Sequence, residues 1–457
     1  MSTQSQTLTI PQAVQLANQY YQTGNLQATQ AICNQILQVE PQNSVAFYLL
    51  GSIAAQVEHY AKAISLFQQA IKFNSSVPAY HGNLGNLFKT LGQFEEALKC
   101  YQQVLALEPN SAKASKNIGN VLRAQHKLAE AIPYYQRALA LEPAWAEAHL
   151  GYSLTLLTKG DFTNGWQEYE WRLQNPIIKT PQLKPQLKWE GDDLAGRKLL
   201  IHWEQGFGDT IQFVRYLAQL KNGTLILACQ SPLDKLLKSF SNVDILIAHD
   251  QLTQEPKIAY DVWVPLLSLP RIFTTTLDNI PAPIPYLFPN PAQVKTWKSR
   301  FDSSHFKIGI VWAGNPRHKN DRNRSCPLIH FAAFAKLPKV KLFSLQKGEA
   351  TTQSVPEGME LISLTDGLVD FSETAAAIAG LDLVICVDTA VAHLTGAMGK
   401  PVWVLLPFNA DWRWLLDRND SPWYPTMRLF QQPSFGDWET VFKQVVNELF
   451  GMVQKHN

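Results

Sequence analysis

At 457 residues the chain is too long for one hydrophobic core, and several domains are expected. Forty basic residues against 38 acidic ones leave a formal charge of +2, which excludes a global attraction to nucleic acid or an anionic membrane, and a 46% apolar content is that of a folded globular protein. Cys33, Cys100, Cys229, Cys326 and Cys386 are scattered and form no CxxC pair, which excludes a disulfide framework or structural zinc site and points to a reducing, cytoplasmic setting.

The first third is periodic. Gly51, Gly85 and Gly119 recur every 34 residues, as do Ala63, Ala97 and Ala131, and Phe67, Tyr101 and Tyr135. Pro109 and Pro143 keep the same spacing, with Pro41 two periods before Pro109. Each unit reads as a helix hairpin whose small residues sit where two helices approach and whose aromatic fills the gap to the next pair. Period and alternation resemble the tetratricopeptide repeat. One divergent unit falls near 10–43, three regular ones across 44–143, and a degenerate fifth begins at about 144, keeping Gly160 and Tyr169. All 13 tryptophans lie at or after position 145, a shift that marks where the array begins to dock onto something.

Beyond a Pro- and Gln-rich loop (175–185) the pattern becomes α/β. Strands are expected at 198–203, 224–229, 243–247 and 261–264, with helices at 210–220 and 231–240. A proline-dense stretch around 281–291 reads as a stiff linker. Strands at 307–312, 340–345, 382–387 and 401–406 then alternate with helices near 328–336, 371–379 and from 390, before a final helix at 438–450. Such alternation implies parallel sheets in two facing Rossmann-like domains with a cleft between them. The resulting boundaries are 1–175 for the repeats, 176–290 for the first α/β domain and 291–457 for the second. No run of 18 apolar residues occurs and the N-terminus lacks a signal-peptide pattern, so neither a membrane span nor a leader is expected.

Three segments carry chemistry. In LLIHWEQGFGDTIQF a strand meets a turn with Gly206 and Gly208 and a helix from Thr210; glycines there let backbone approach a ligand. Asp209 at that helix start would repel a phosphate. It suits a general base kept ionised by the helix dipole, or a simple N-cap. In IGIVWAGNPRHKNDRNRSCPL a strand runs into a loop holding Gly314, Asn315, Lys319 and Arg324 among four bases and one acid, a setting for a diphosphate or a solvated basic loop. In LDLVICVDTAVAHLTGAMGKPVWVLL a buried strand ends at Asp388, with Thr389 as cap, Ala390 opening the helix and His393 early in it. There the helix amides suit phosphate, Asp388 suits sugar hydroxyls, and His393 is either a ligand contact or a structural histidine. Gln346 and Lys347 end the strand of FSLQKG and are expected to face the cleft; ADWRW (410–414) flanks the donor or packs.

Together these pieces resemble the heptosyltransferase-like glycosyltransferases of two-Rossmann (GT-B) architecture over about 190–450. The whole chain looks like the tetratricopeptide-repeat glycosyltransferases, whose four motifs stand here at Gly160–Arg172, His202–Phe213, Trp312–Ser325 and Asp388–Pro407. The resemblance implies a sugar transfer from a nucleotide-sugar to an acceptor hydroxyl, inverting, with Asp209 as base. It also implies that Arg324 contacts the donor phosphates and that Asp388, Thr389, Ala390 and His393 hold donor sugar and phosphate. The family's loop has lysine where Arg324 stands and an aromatic in place of Cys326, which leaves the donor sugar open. No Asp-x-Asp pair occurs, so neither a metal nor any cofactor beyond the nucleotide-sugar co-substrate is expected. The acceptor is a protein, a glycan or a lipid-linked glycan, with the repeats recruiting a protein partner. Three alternatives stand beside this: a non-enzymatic repeat scaffold with a degenerate sugar- or nucleotide-binding module, a nicotinamide-dependent oxidoreductase, which the missing third glycine of GFGD disfavours, and a nucleic-acid binder, disfavoured by charge.

Overall fold

The computed structural model describes residues 8–176, 178, 183–252, 254–281, 284–301, 304–318 and 320–456. They form two compact units that divide at Tyr152/Ser153.

The first unit is an array of helix pairs: α1 (Ile10–Gln22) and α2 (Leu26–Val39), α3 (Ser44–Gln56) and α4 (Tyr60–Phe73), α5 (Pro78–Thr90) and α6 (Phe94–Leu107), α7 (Ala112–Ala124) and α8 (Leu128–Leu141). A fifth pair, α9 (Ala146–Lys159) and α10 (Phe162–Tyr169), spans the division, α10 lying wholly in the second unit. The 34-residue period has a direct steric cause. A Cβ at Gly51 would come within 2.8 Å of the Phe67 ring, one at Gly85 within 2.9 Å of Tyr101, and one at Gly119 within 3.0 Å of Tyr135. Only glycine lets each aromatic seat against the helix before it. Ala63, Ala97 and Ala131, all fully buried, face the same close approach. The Tyr101 and Tyr135 hydroxyls then donate to Asn86 Oδ1 (2.7 Å) and Asn120 Oδ1 (2.8 Å). Prolines 41, 109 and 143 follow the C-caps Glu40, Glu108 and Glu142, where the second helix of each pair stops.

The second unit holds two wholly parallel sheets. The first contains β1 (Lys198–His202), β2 (Thr224–Cys229), β3 (Ile245–Ala248) and β4 (Val262–Pro265) in the order β3-β2-β1-β4. Its helices are short: α11 (Phe207–Phe213), α12 (Asp234–Leu237) and α13 (Leu269–Ile272). After α14 (Pro291–Lys298), the second sheet contains β5 (Phe306–Val311), β6 (Val340–Ser344), β7 (Leu361–Ser363), β8 (Leu383–Val387), β9 (Val402–Leu406) and β10 (Met427–Gln431). Their order, β10-β9-β8-β5-β6-β7, is the doubly wound one, with α15 (Asp321–Arg324), α16 (Phe371–Ala379), α17 (Ala390–Ala397) and α18 (Trp438–His456) as its helices. Its core gathers Ile308, Ile310, Leu383, Ile385 and Leu405 with Phe331, Phe334 and Phe442.

Three expectations change. The helix expected over 210–220 begins at Phe207 and tightens to a 3-10 turn over Val214–Gln219, so Gly208 and Asp209 lie inside its first turn. The region expected as a helix at 328–336 is a 3-10 helix. Far from a free spacer, the proline-dense stretch packs through Tyr286 and Leu287, whose amides donate to Ala397 O (3.0 and 3.3 Å). Two edge strands, β7 and β10, stand beside the eight expected ones.

Candidate functional site

Ligands of open parallel sheets bind beyond the strand C-termini where the strand order reverses. In the first sheet that point lies between β1 and β4, and in the second between β5 and β8. The three sequence segments are the loops that leave β1, β5 and β8.

After β1, Gln205 adopts a left-handed backbone (φ 57°), which turns the chain into α11. Gly206 caps that helix and donates its N–H to Asp209 Oδ2 at 2.8 Å. The other oxygen, Oδ1, accepts from Arg413 Nη2. Arg413 also donates through Nη1 to Asp411 Oδ1 (2.8 Å) and through Nε to Gln212 Oε1 (2.6 Å), and its guanidinium lies 4.6 Å from the Trp412 ring centre. Burial raises the Asp209 carboxyl above the ordinary aspartate range, against the pull of Arg413 and the Gly206 N–H. Gly208 has a packing role: a Cβ there would stand 2.8 Å from His393 Cδ2, so glycine lets α11 close onto α17.

The loop after β5 is laced to its neighbours. Gln346 Oε1 accepts from the Trp312 and Ala313 amides (both 3.0 Å), while Nε2 donates to Ala313 O (3.0 Å) and Lys347 O (2.8 Å). All of its polar capacity serves the loop. Lys347 turns its ammonium to Leu368 O at 2.8 Å. Gly314 donates to Ser325 Oγ (2.9 Å) and leaves room for Arg324, whose Nη2 would lie 2.5 Å from a Cβ at that position. Arg324 pairs with Asp321 at 3.1 Å, and Asn315 Oδ1 accepts from the Arg317 amide at 3.0 Å. Lys319 lies outside the described residues.

At the end of β8, Asp388 Oδ2 accepts from the Trp414 indole N–H at 3.0 Å. Burial, and after it the nearby Asp411, pushes Asp388 up to about 6, while Trp414, Arg324 and Arg413 oppose the shift. Thr389 is the N-cap of α17, but its enclosed hydroxyl lies beside the Cys386 thiol and has no nitrogen or oxygen partner among the described residues. The amides that open α17 at Ala390 therefore face the same space without a side-chain cap. His393 stacks on Trp414 (5.4 Å between ring centres) and its Nδ1 lies 3.0 Å from Tyr424 Oη. Burial drives it well below the usual histidine range, with Arg413 and Arg215 adding to the effect, so the ring is neutral.

The structure thus brings Asp209, Arg324, Asp388, Thr389, Ala390 and His393 to one region and adds Asp411, Arg413 and Trp414 to it. Gln346, Lys347, Gly206 and Gly208 shape it through contacts within the chain. A second group, unread in the sequence, stands behind it. Arg172 and Glu204 are wholly buried and 2.9 Å apart; Arg172 also reaches Glu170 (2.8 Å) and Ser268 Oγ (2.8 Å). Burial would raise Glu170, but Arg172 and Lys188 outweigh it and hold it at about 2. Arg172 ends GDFTNGWQEYEWR and Glu204 sits in HWEQGFGD, so this pair joins two motifs. The signal available was the arginine and glutamate held among apolar and aromatic neighbours, which rarely go inside unpaired.

Comparison with known proteins agrees with this architecture. Tetratricopeptide-repeat models match residues 45–76, 83–144 and 116–169, and the model of glycosyltransferase family 9 (heptosyltransferase) matches 335–405, from the end of the 3-10 helix before β6 to β9. The chain thus combines tetratricopeptide repeats with an α/β segment that matches the heptosyltransferase model over 335–405, within the second sheet domain. Among particular relatives, Protein FlbA of Caulobacter vibrioides is 27% identical over 326 residues, 64% of this chain and 53% of FlbA, so the match spans about half of that relative. A UDP-N-acetylglucosamine–peptide N-acetylglucosaminyltransferase of Caenorhabditis elegans is 32% identical over 85 residues, 19% of this chain and 7% of the enzyme. The solved tetratricopeptide-repeat protein YrrB, titled as having an unusual peptide-binding site, is 20% identical over 36% of this chain and 84% of its own, at a TM-score of 0.32.

Proposed function

We propose that the protein is an inverting, metal-independent glycosyltransferase that moves a sugar from a nucleotide-sugar to an acceptor hydroxyl. The observation that carries this reading is the meeting of Asp209 with Arg413, Arg324, Asp388 and the start of α17 where both sheets reverse their strand order. Asp209 accepts the proton of the acceptor hydroxyl as that oxygen attacks the anomeric carbon, and the nucleoside diphosphate leaves. Arg324 and the open amides at Ala390 meet the charge that grows on the leaving group. Asp388, oriented by Trp414, receives sugar hydroxyls, and neutral His393 and Thr389 line the donor. Gly314 leaves room for Arg324, Asn315 braces the loop at the Arg317 amide, and Lys319 adds positive charge for the diphosphate. Arg413 opposes the effect of burial on Asp209 and aims its carboxylate. The repeats recruit a protein acceptor, and the five thiols, none in a disulfide, suit a cytoplasmic setting. No helix among the described residues is long and apolar enough to cross a membrane.

The test is nucleotide release from a panel of nucleotide-sugars without added metal, with wild type and Asp209→Ala. One donor is expected to turn over in wild type, and the variant is expected to lose at least about 100-fold in rate, the usual span for a general base, while still binding donor. If neither form binds any donor, the non-enzymatic scaffold takes its place.

A further inference from the structure

The repeat array carries a charge pattern that the transfer chemistry does not use. Across residues 8–152 nine bases stand against eight acids, so the array as a whole is close to neutral. Lys89 on α5 and Lys113, Lys116 and Arg123 on α7 share those two helices with no acid, whereas α6 and α8 mix Glu95, Glu96 and Glu130 with Lys99 and Arg137. The first helices of successive pairs touch one another, α1 with α3 and α3 with α5, and so make one layer. Lys89 and Arg123 are 34 residues apart and hold the same position in consecutive repeats. Arg123 and Lys116, seven apart, share one face of α7.

Lys116 is already engaged: its ammonium lies 3.1 Å from Glu147 and 4.5 Å from the Trp145 ring centre. Lys89 and Arg123 are not. Both are half-buried, neither has an ion-pair or hydrogen-bond partner among the described residues, and Arg123 Nε is fully enclosed. Burial lowers the Lys89 ammonium below its ordinary range, and Lys116 and Arg123 lower it further. Like charges held together in a partly dry place cost stability, and an arriving carboxylate would remove that cost.

We propose that the α5–α7 face is the docking site of an acidic, carboxylate-bearing peptide segment, with Lys89 and Arg123 as its contacts. A peptide fits better than a nucleic acid, because the half-buried cations Lys89, Lys116 and Arg123 lie in two consecutive repeats and do not continue as a stripe along the array. This sharpens the acceptor-recruiting role given above, and its readout is binding, so it stands or falls separately from transferase activity.

The experiment is fluorescence anisotropy on the full chain with a fluorescein-labelled octapeptide of alternating Glu and Gly. A Gln-for-Glu twin and an eight-nucleotide single-stranded DNA are the comparison probes. The acidic peptide is expected to bind at least about tenfold more tightly than its twin, with affinity falling as salt rises. Lys89→Gln and Arg123→Gln are each expected to weaken it about tenfold, while Lys62→Gln on α4 leaves it unchanged. Lys89→Gln is expected to melt no lower than wild type, because it removes repulsion. Equal binding of the twin, tighter binding of the DNA, an equal loss with Lys62→Gln, or a lower melting temperature of Lys89→Gln would each overturn the proposal.

Discussion

Arg413 decides how Asp209 can work. A buried carboxyl tends to hold its proton, and burial is the largest influence on Asp209. Arg413, bonded to Asp209, Asp411 and Gln212 and stacked on Trp412, is fixed in place and supplies the opposing pull. As the proposed base, Asp209 acts only when ionised, so activity is expected to rise with pH through its pKa. Removing the guanidinium lets burial act alone and moves that rise to higher pH. For Arg413→Met the acidic limb of kcat/KM is therefore expected to shift upward by about one to three pH units, the range for an opposite charge at this distance. Donor panels run from pH 5 to 9 would measure it; an unshifted limb, or a shift to lower pH, removes Arg413 from this role. In the sequence Arg413 was one residue of a tryptophan-flanked run that could flank the donor or pack. Nothing in local spacing links position 413 to position 209, since only the tertiary fold brings them together.

Between elements, the buried pair Arg172–Glu204 does the joining. The 3-10 turn that follows α10 brings Arg172 to the loop after β1, where Glu204 and Ser268 meet it. Next to it Phe162, Trp166, Phe213, Trp412 and Trp423 form an edge-to-face cluster that draws α10, α11 and the 412–424 loop together. These contacts explain why residues 153–175 keep a repeat period yet belong to the α/β unit: Gly165 and Tyr169 occupy the repeat positions of Ala131 and Tyr135, while the aromatic side chains between them bind elsewhere. Breaking a buried pair strands the remaining charge, so Arg172→Met is expected to cost about 3–5 kcal/mol. Combining it with Glu204→Gln is expected to recover a good part of that. Urea midpoints of wild type, single and double variants would show it, and a double variant no more stable than Arg172→Met would mean that the two residues act independently. Periodicity made the repeats and eight of the ten strands readable in advance, because both rest on local patterns. The two edge strands escaped notice for the converse reason. β7 is three residues long, and β10 carries an outward Arg428 that pairs with Glu448, so neither shows a buried strand's continuous apolar run.

On the scale of the whole molecule, the two units divide the labour. The α/β unit holds every group assigned to donor and proton, and the array holds the free cations at Lys89 and Arg123. If recruitment and chemistry are separate, their variants should fail in different kinetic constants. Binding lost equally from ground state and transition state raises KM and leaves kcat alone, whereas an interaction made only in the transition state lowers kcat. The double variant Lys89→Gln/Arg123→Gln is accordingly expected to release nucleotide from donor alone at a rate within about twofold of wild type. Its KM for an acidic polypeptide acceptor should rise by at least about tenfold at unchanged kcat. Asp209→Ala should do the reverse, keeping acceptor affinity while losing turnover. Steady-state kinetics with donor held at saturation would separate the two. A loss of donor turnover in the array variant would show that the repeats take part in the chemistry itself; an unchanged KM would show that the acceptor enters without touching α5 and α7.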